Sequence, residues 1–156
     1  MTAVYLAGPY AARARLNAYA EDLRGMLVDV TASWLDETHD ITPGTLDAAT
    51  DLSDAEVAHH AATDLEDIAN ADLLVLITAD VAGVPGASSG GRHVETGVAI
   101  ANGIPVLVVG QPENVFHRLG PGERVWITPT WESALARIAA HEAGHPKRLT
   151  WSEALR

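Results

Sequence analysis

Hydrophobic positions along the chain fall into short unbroken runs, separated by stretches with helical spacing. Val4-Tyr5-Leu6-Ala7 is an apolar run closed by Gly8-Pro9, the pattern of a buried strand meeting a turn. Leu16, Ala20, Leu23 and Leu27 then recur at spacings of 4, 3 and 4, while Glu21, Asp22 and Arg24 fall off that stripe. This predicts an amphipathic helix. Val28 to Leu35 reads as a second strand, and residues 36 to 52, rich in small polar residues around Pro43-Gly44, as a long loop. Ser53-Asp54-Ala55-Glu56 is a capping box, with Ser at the N-cap and Glu three residues on. It predicts a helix through about Asn70.

Leu73 to Thr78 is a further apolar strand, followed by a small-residue connection over 79 to 91. A helix is expected from His93 to Ala101, closed by Asn102-Gly103. Ile104 to Val109 and Val125-Trp126-Ile127 complete the strands, and Thr130 caps a last helix running to about His141. Thr150-Trp151-Ser152-Glu153-Ala154-Leu155 echoes Thr130 to Leu135 and reads as a second Thr-capped helix start. Strands alternating with helices imply one α/β domain over residues 1–156: an open, mostly parallel, doubly wound sheet with helices on both faces.

Composition narrows the functions. Lys and Arg total 10 against 21 Asp and Glu, a net charge of −11 that argues against a nucleic-acid polymer as partner. With no cysteine, disulfides, thiolate nucleophiles and cysteine zinc sites are all excluded. No apolar run approaches a membrane span and no secretory leader is visible, so a cytoplasmic protein is expected. Histidine spacing does not suggest a metal site: His59 and His60 are adjacent, and His145, four residues after His141, lies between Gly144 and Pro146.

Ligands of open parallel sheets bind beyond the carboxyl ends of the strands. The loops there are Gly8-Pro9-Tyr10, residues 78–91 and residues 110–114. Ser88-Ser89-Gly90-Gly91-Arg92-His93 is the most informative stretch, since two glycines before a helix allow close backbone approach and the helix start offers free amides. Glu95 follows within the expected first turn, where the helix dipole favours an ionised carboxylate, suited either to nucleophilic attack or simply to stabilising the helix. Asp64 shares a helix face with Ile68 and Ala71. Trp34, at the end of the second expected strand, suits either base stacking or the core, and His39 in the following loop either a base contact or solvent.

Three blocks resemble the nucleoside 2-deoxyribosyltransferase family, which includes relatives that hydrolyse nucleoside 5′-monophosphates. They are Val4-Tyr5-Leu6-Ala7-Gly8-Pro9; Asp64 with Ile68 and Ala71-Asp72 before Leu74-Val75-Leu76; and Gly90-Gly91-Arg92-His93-Val94-Glu95-Thr96-Gly97-Val98-Ala99 with Gly103-Ile104-Pro105-Val106. The resemblance spans residues 4 to about 110 and implies a Rossmann-like, flavodoxin-like fold. It implies Glu95 as the nucleophile that forms a glycosyl ester, Tyr5 as the group orienting it, and Asp64 as a residue bonding the sugar or assisting departure of the base. Gly8, Pro9, Ser88, Ser89, Gly90, Gly91 and Arg92 would line the substrate, with Arg13 and Arg15 as further counter-charges. Asn114 resembles a residue lent to a neighbouring subunit, which implies a homo-oligomer with shared sites, and Phe116, Trp126 and Trp131 could anchor its interface. Neither a metal nor an organic cofactor is implied.

The expected activity is cleavage of the N-glycosidic bond of a nucleoside or nucleotide, with the sugar passed to another base or to water. Where several transferases carry an acid six positions before the nucleophile, this chain has Ser89, which resembles the monophosphate hydrolases. A non-catalytic nucleotide sensor and a phosphoribohydrolase of the cytokinin-activating kind are alternatives that share a Gly-Gly helix start.

Overall fold

The computed structural model describes residues 2–37, 52–78 and 90–142. Five parallel strands form one sheet: β1 (Ala3–Ala7), β2 (Asp29–Val30), β3 (Leu73–Ile77), β4 (Val106–Val109) and β5 (Val125–Thr128), in the order β2-β1-β3-β4-β5. Every residue of β3 and β4 is buried. This explains why those strands read as unbroken apolar runs, since a sheet covered on both faces has no polar side to alternate with.

Among the described residues four helices cover the sheet: α1 (Arg13–Gly25), α2 (Asp54–Ala69), α3 (Gly91–Ala101) and α4 (Trp131–Glu142). From β1 the chain moves outward to β2, then returns past β1 to β3 and continues to β4. Right-handed crossovers therefore place α1 on one face and α2 with α3 on the other. The packing agrees. Helices α2 and α3 touch each other. Helix α1 meets α4 through Tyr19 stacked on Trp131 at 4.2 Å and through the Trp131 Nε1–H donating to Asp22 Oδ2 at 2.8 Å. The reversal of strand order lies between β1 and β3, the place where doubly wound sheets open a crevice.

Local signals explain most boundaries. The Ser53 and Glu56 capping box forms in full, and α2 ends at Asn70. Thr130 Oγ1 accepts from the Ser133 amide at α4's start. Helix α3 stops at Asn102, where Gly103 adopts a φ of 70° that favours glycine.

Two expectations need correction. Leu16, Ala20 and Leu23 are fully buried, but Leu27 lies past the end of α1 with a φ of 61° and is 77% exposed. Gly25 ends the helix before the stripe reaches it. The strand expected over Val28 to Leu35 is only Asp29–Val30. The chain then coils into a 3₁₀ turn, Ser33–Asp36, because Trp34 and Leu35 both turn into the core instead of alternating across a sheet. Trp126 and Trp131 are buried in the chain's own core, which removes them as interface anchors, whereas Phe116 is 61% exposed.

Candidate functional site

Tyr5 sits in the middle of β1, hydrogen-bonded alongside Leu74 of β3, and its side chain is fully buried. Its hydroxyl donates to Glu95 Oε1 of α3 at 3.1 Å. Asp64 on α2 completes a compact group beneath the β1–β3 reversal, close enough for its charge to act on both Tyr5 and Glu95. One Asp64 oxygen, Oδ1, is buried without a hydrogen-bond partner among the described residues. Tyr5, Asp64 and Glu95 thus come from three elements and meet on the face that α2 and α3 cover.

The electrostatics differ from the sequence expectation. Helix α3 begins at Gly91, two residues earlier than its pattern suggested, so Glu95 lies in the second turn. The helix dipole fades within the first turn. Burial, reinforced by the Asp64 charge, pushes the Glu95 carboxyl up to about 8, against the opposing pull of the Tyr5 hydrogen bond and Arg92. It is not held ionised as expected. Burial also raises Asp64 to about 6, helped by Glu37 and Asp67 and opposed by His60 and Tyr5. Tyr5 itself is driven well above the ordinary phenol range by burial and by the two acids. It therefore stays a neutral donor. Two carboxyls whose titrations bracket neutrality, beside a fixed hydroxyl, form a pair suited to acid–base and nucleophilic work.

The other expected site residues fall into three groups. Gly8 and Pro9 lie where β1 ends, and the Pro9 carbonyl accepts from the Ala12 amide at 2.8 Å to start a turn. A Cβ on Gly8 would approach buried Leu16 to 2.6 Å, so packing against α1 accounts for this glycine. Gly90 and Gly91 open α3, and a Cβ on either would meet no atom within 4 Å among the described residues. Trp34 is buried, with its indole N–H donating to the Leu6 carbonyl at 3.0 Å and its ring 5.6 Å from that of Tyr10. It is a packed wall behind Tyr10, not an open stacking surface.

Arg92 and Asn114 belong to a separate network. Arg92 is buried and forks onto Glu113, with Nη2–Oε1 at 3.0 Å and Nε–Oε2 at 3.2 Å. The same guanidinium also acts on the Glu95 carboxyl through its charge. Asn114 Oδ1 accepts from the amides of Phe116 and His117, at 2.9 and 3.3 Å, and caps a 3₁₀ turn over Val115–Arg118. Its Nδ2 lies 3.2 Å from both His93 Nδ1 and His117 Nε2. Burial lowers both of these histidines from their ordinary range, so both are neutral at neutral pH. Arg13 donates to Tyr10 Oη at 3.0 Å and to the Glu37 carbonyl at 2.6 Å. His39, Ser88, Ser89, His145 and the Thr150 helix start lie outside the described residues.

Among the described residues no cluster of three or more histidine or acidic side chains is arranged to hold a metal ion, and no helix is long and apolar enough to cross a membrane. A cleft of about 460 Å³ lies elsewhere, at β5 and α4, lined by His117, Arg118, Trp126 and Arg137 among others.

The fold and site together define a doubly wound α/β domain carrying a buried hydroxyl–carboxyl group at its strand reversal. No family model matches the sequence, and no curated protein matches it significantly. Solved structures do share the fold. A 2-deoxyribosyltransferase from the psychrotolerant bacterium Bacillus psychrosaccharolyticus superposes with a TM-score of 0.59 at 18% identity, over 86% of this chain and 90% of that one. The CMP N-glycosidase BcmB of Clostridium botulinum superposes at 0.54 and 17% identity, over 88% of this chain and 98% of its own. At these identities the likeness is one of fold. One neighbour is named for deoxyribosyl transfer and the other for nucleotide N-glycoside cleavage, the two activities of the family that the sequence blocks resemble.

Proposed function

We propose that this protein cleaves the N-glycosidic bond of a nucleoside or nucleoside 5′-monophosphate through a covalent glycosyl–Glu95 intermediate. The observation that carries the reading is the contact of Tyr5 with Glu95, joined by Asp64, where the strand order reverses.

The ionised Glu95 oxygen attacks the anomeric carbon, and the carbon–nitrogen bond breaks with its electron pair leaving on the base. Asp64 supplies the proton that the departing base needs. Tyr5 donates to Glu95 and holds the carboxylate in line, since a buried phenol with a raised pKa keeps its proton throughout. Water or a second base then attacks the anomeric carbon and passes a proton to the Asp64 carboxylate, while the bond from that carbon to the Glu95 oxygen breaks and Glu95 is regenerated. Two displacements retain the anomeric configuration.

Free-base release from a panel of ribo- and deoxyribonucleosides and their monophosphates, followed by chromatography, tests the reading. Glu95→Ala should lose at least about 1,000-fold of that activity. Retained activity in the variant rules the nucleophile out, and binding without turnover in the wild type favours the sensor alternative.

A homo-oligomer is part of this proposal. Exposed Val115 and Phe116, 76% and 61% accessible, stand beside Asn114, with Val94 of α3 at 64%. A second copy covering them would bring Asn114 toward a neighbouring site. Light scattering that gives a strict monomer at micromolar concentration removes this element.

A further inference from the structure

Helix α2 carries more than Asp64 on its inner face. His60, Asp64 and Asp67 fall at spacings of four and three, which places them along one side of a helix. Asp67 Oδ2 accepts from the Ser33 amide at 2.9 Å and from its hydroxyl at 2.6 Å. One turn the other way, His60 Nδ1 lies 2.7 Å from Glu37 Oε1. The 33–37 turn is thus pinned along α2 at both ends, with Asp64 between the pins.

Glu37 joins further elements. Its other carboxylate oxygen lies 3.5 Å from Tyr10 Oη, and its carbonyl accepts from Arg13 at 2.6 Å. The Arg13 guanidinium also lies 4.9 Å from the centre of the Tyr10 ring. The His60 and Glu37 side chains are mostly buried, 21% and 15% exposed. An exposed pair would contribute little, but a pair with water largely removed has more influence on neighbouring charge.

We infer that Glu37 and His60 form a positioning pair for Asp64, holding the 33–37 turn along the α2 face that directs its carboxyl, and the proton it delivers to the departing base, toward the Tyr5–Glu95 couple. The delivery step rests on the proposed function; the positioning does not. The groups acting on Asp64 are Glu37 from the turn, His60 and Asp67 from α2, Tyr5 from β1 and, through its own coupling to Asp64, Glu95 from α3. Glu37 strengthens Asp64's hold on its proton and His60 weakens it. Removing each in turn must therefore act with opposite sign, an outcome that loosened packing alone does not produce.

The test uses the full chain with ¹³C-labelled aspartate carboxyls, the Asp64 signal being assigned by its loss in Asp64→Asn. Titration should place Asp64 lower in Glu37→Gln and higher in His60→Gln, each by about one pH unit, and Glu37→Asp should restore the wild-type value. Shifts in the same direction, or none, overturn the inference. Should Glu37→Gln fail to fold, His60→Gln decides alone, because the pair requires its upward shift. In base-release assays the pH optimum should move the same two ways, with KM changed by no more than about twofold. If the carboxyl shifts appear while the wild type releases no base from any substrate, the pair stands and the glycosidic reading falls.

Discussion

At the scale of single residues, Glu95 carries a conflict between stability and chemistry. Its carboxyl is raised from 4.5 to about 8 in the folded protein, so between those values the unfolded chain is ionised while the folded one keeps its proton. Folding stability consequently falls as pH rises through this window and levels off above about 8. Glu95→Gln removes the cost of a buried charge while keeping the shape. Its melting temperature should match the wild type near pH 4 and exceed it by roughly 3 °C or more at pH 8; scanning calorimetry across that range reads the difference, and a variant less stable at pH 8 contradicts the assigned burial cost. The identity of the three site residues was legible because each stands in a short block with its neighbours. Their protonation was not. It depends on burial between three elements distant in sequence, and on a helix start two residues earlier than Gly-Gly-Arg-His suggested.

At the scale of elements, the apolar runs of β1, β3 and β4 and the capping box of α2 declared themselves, because strand burial and helix caps are local in sequence. The β2 region misled: Val30, Trp34 and Leu35 have strand-like character, but the Trp34 indole bonded to Leu6 turns this segment into a 3₁₀ coil against α1 and β1. Glu37 and His60 also went unnoticed as site neighbours. His60 could have been found from its four-residue spacing to Asp64 on a well-marked helix; Glu37, at the start of a polar stretch, carried no signal. The Arg92–Glu113 fork was equally invisible, since it joins α3 to the loop after β4. It yields a sharp expectation. Truncating one partner breaks a largely buried, two-point charged contact, so Arg92→Met or Glu113→Met alone should each cost about 2 kcal/mol, and the double variant less than their sum. Denaturant unfolding of the three variants measures this coupling, and simple additivity would show that the fork contributes nothing.

At the scale of the whole molecule, the acidic chain gathers Asp64 and Glu95 on the α2–α3 face and stacks aromatics between α1 and α4 on the other. That division follows from strand order. The reversal between β1 and β3 places Tyr5 beneath α2 and α3 and lets two helices from the same face each deliver one carboxyl. Since Asp64 and Glu95 act on each other, they titrate as a pair with apparent values near 6 and 8. The singly protonated pair is most populated between these values, and its minor form, with Glu95 ionised and the proton on Asp64, is the one that can both attack the sugar and protonate the base. A kcat/KM profile should accordingly be bell-shaped with its maximum near pH 7, rising through about 6 and falling through about 8. Activity that climbs steadily from pH 5 to pH 9 would show that no proton from the pair is needed.

The central claim is that Glu95 forms a bond to the sugar. Acid quenching during turnover of the best substrate, followed by intact-protein and peptide mass spectrometry, observes it directly. The account predicts a mass increase equal to one glycosyl residue, confined to the peptide that contains Glu95 and absent from Glu95→Gln. An adduct on the Asp64 peptide, or rapid base release with no adduct at any time of quenching while Glu95→Gln keeps its activity, would contradict it.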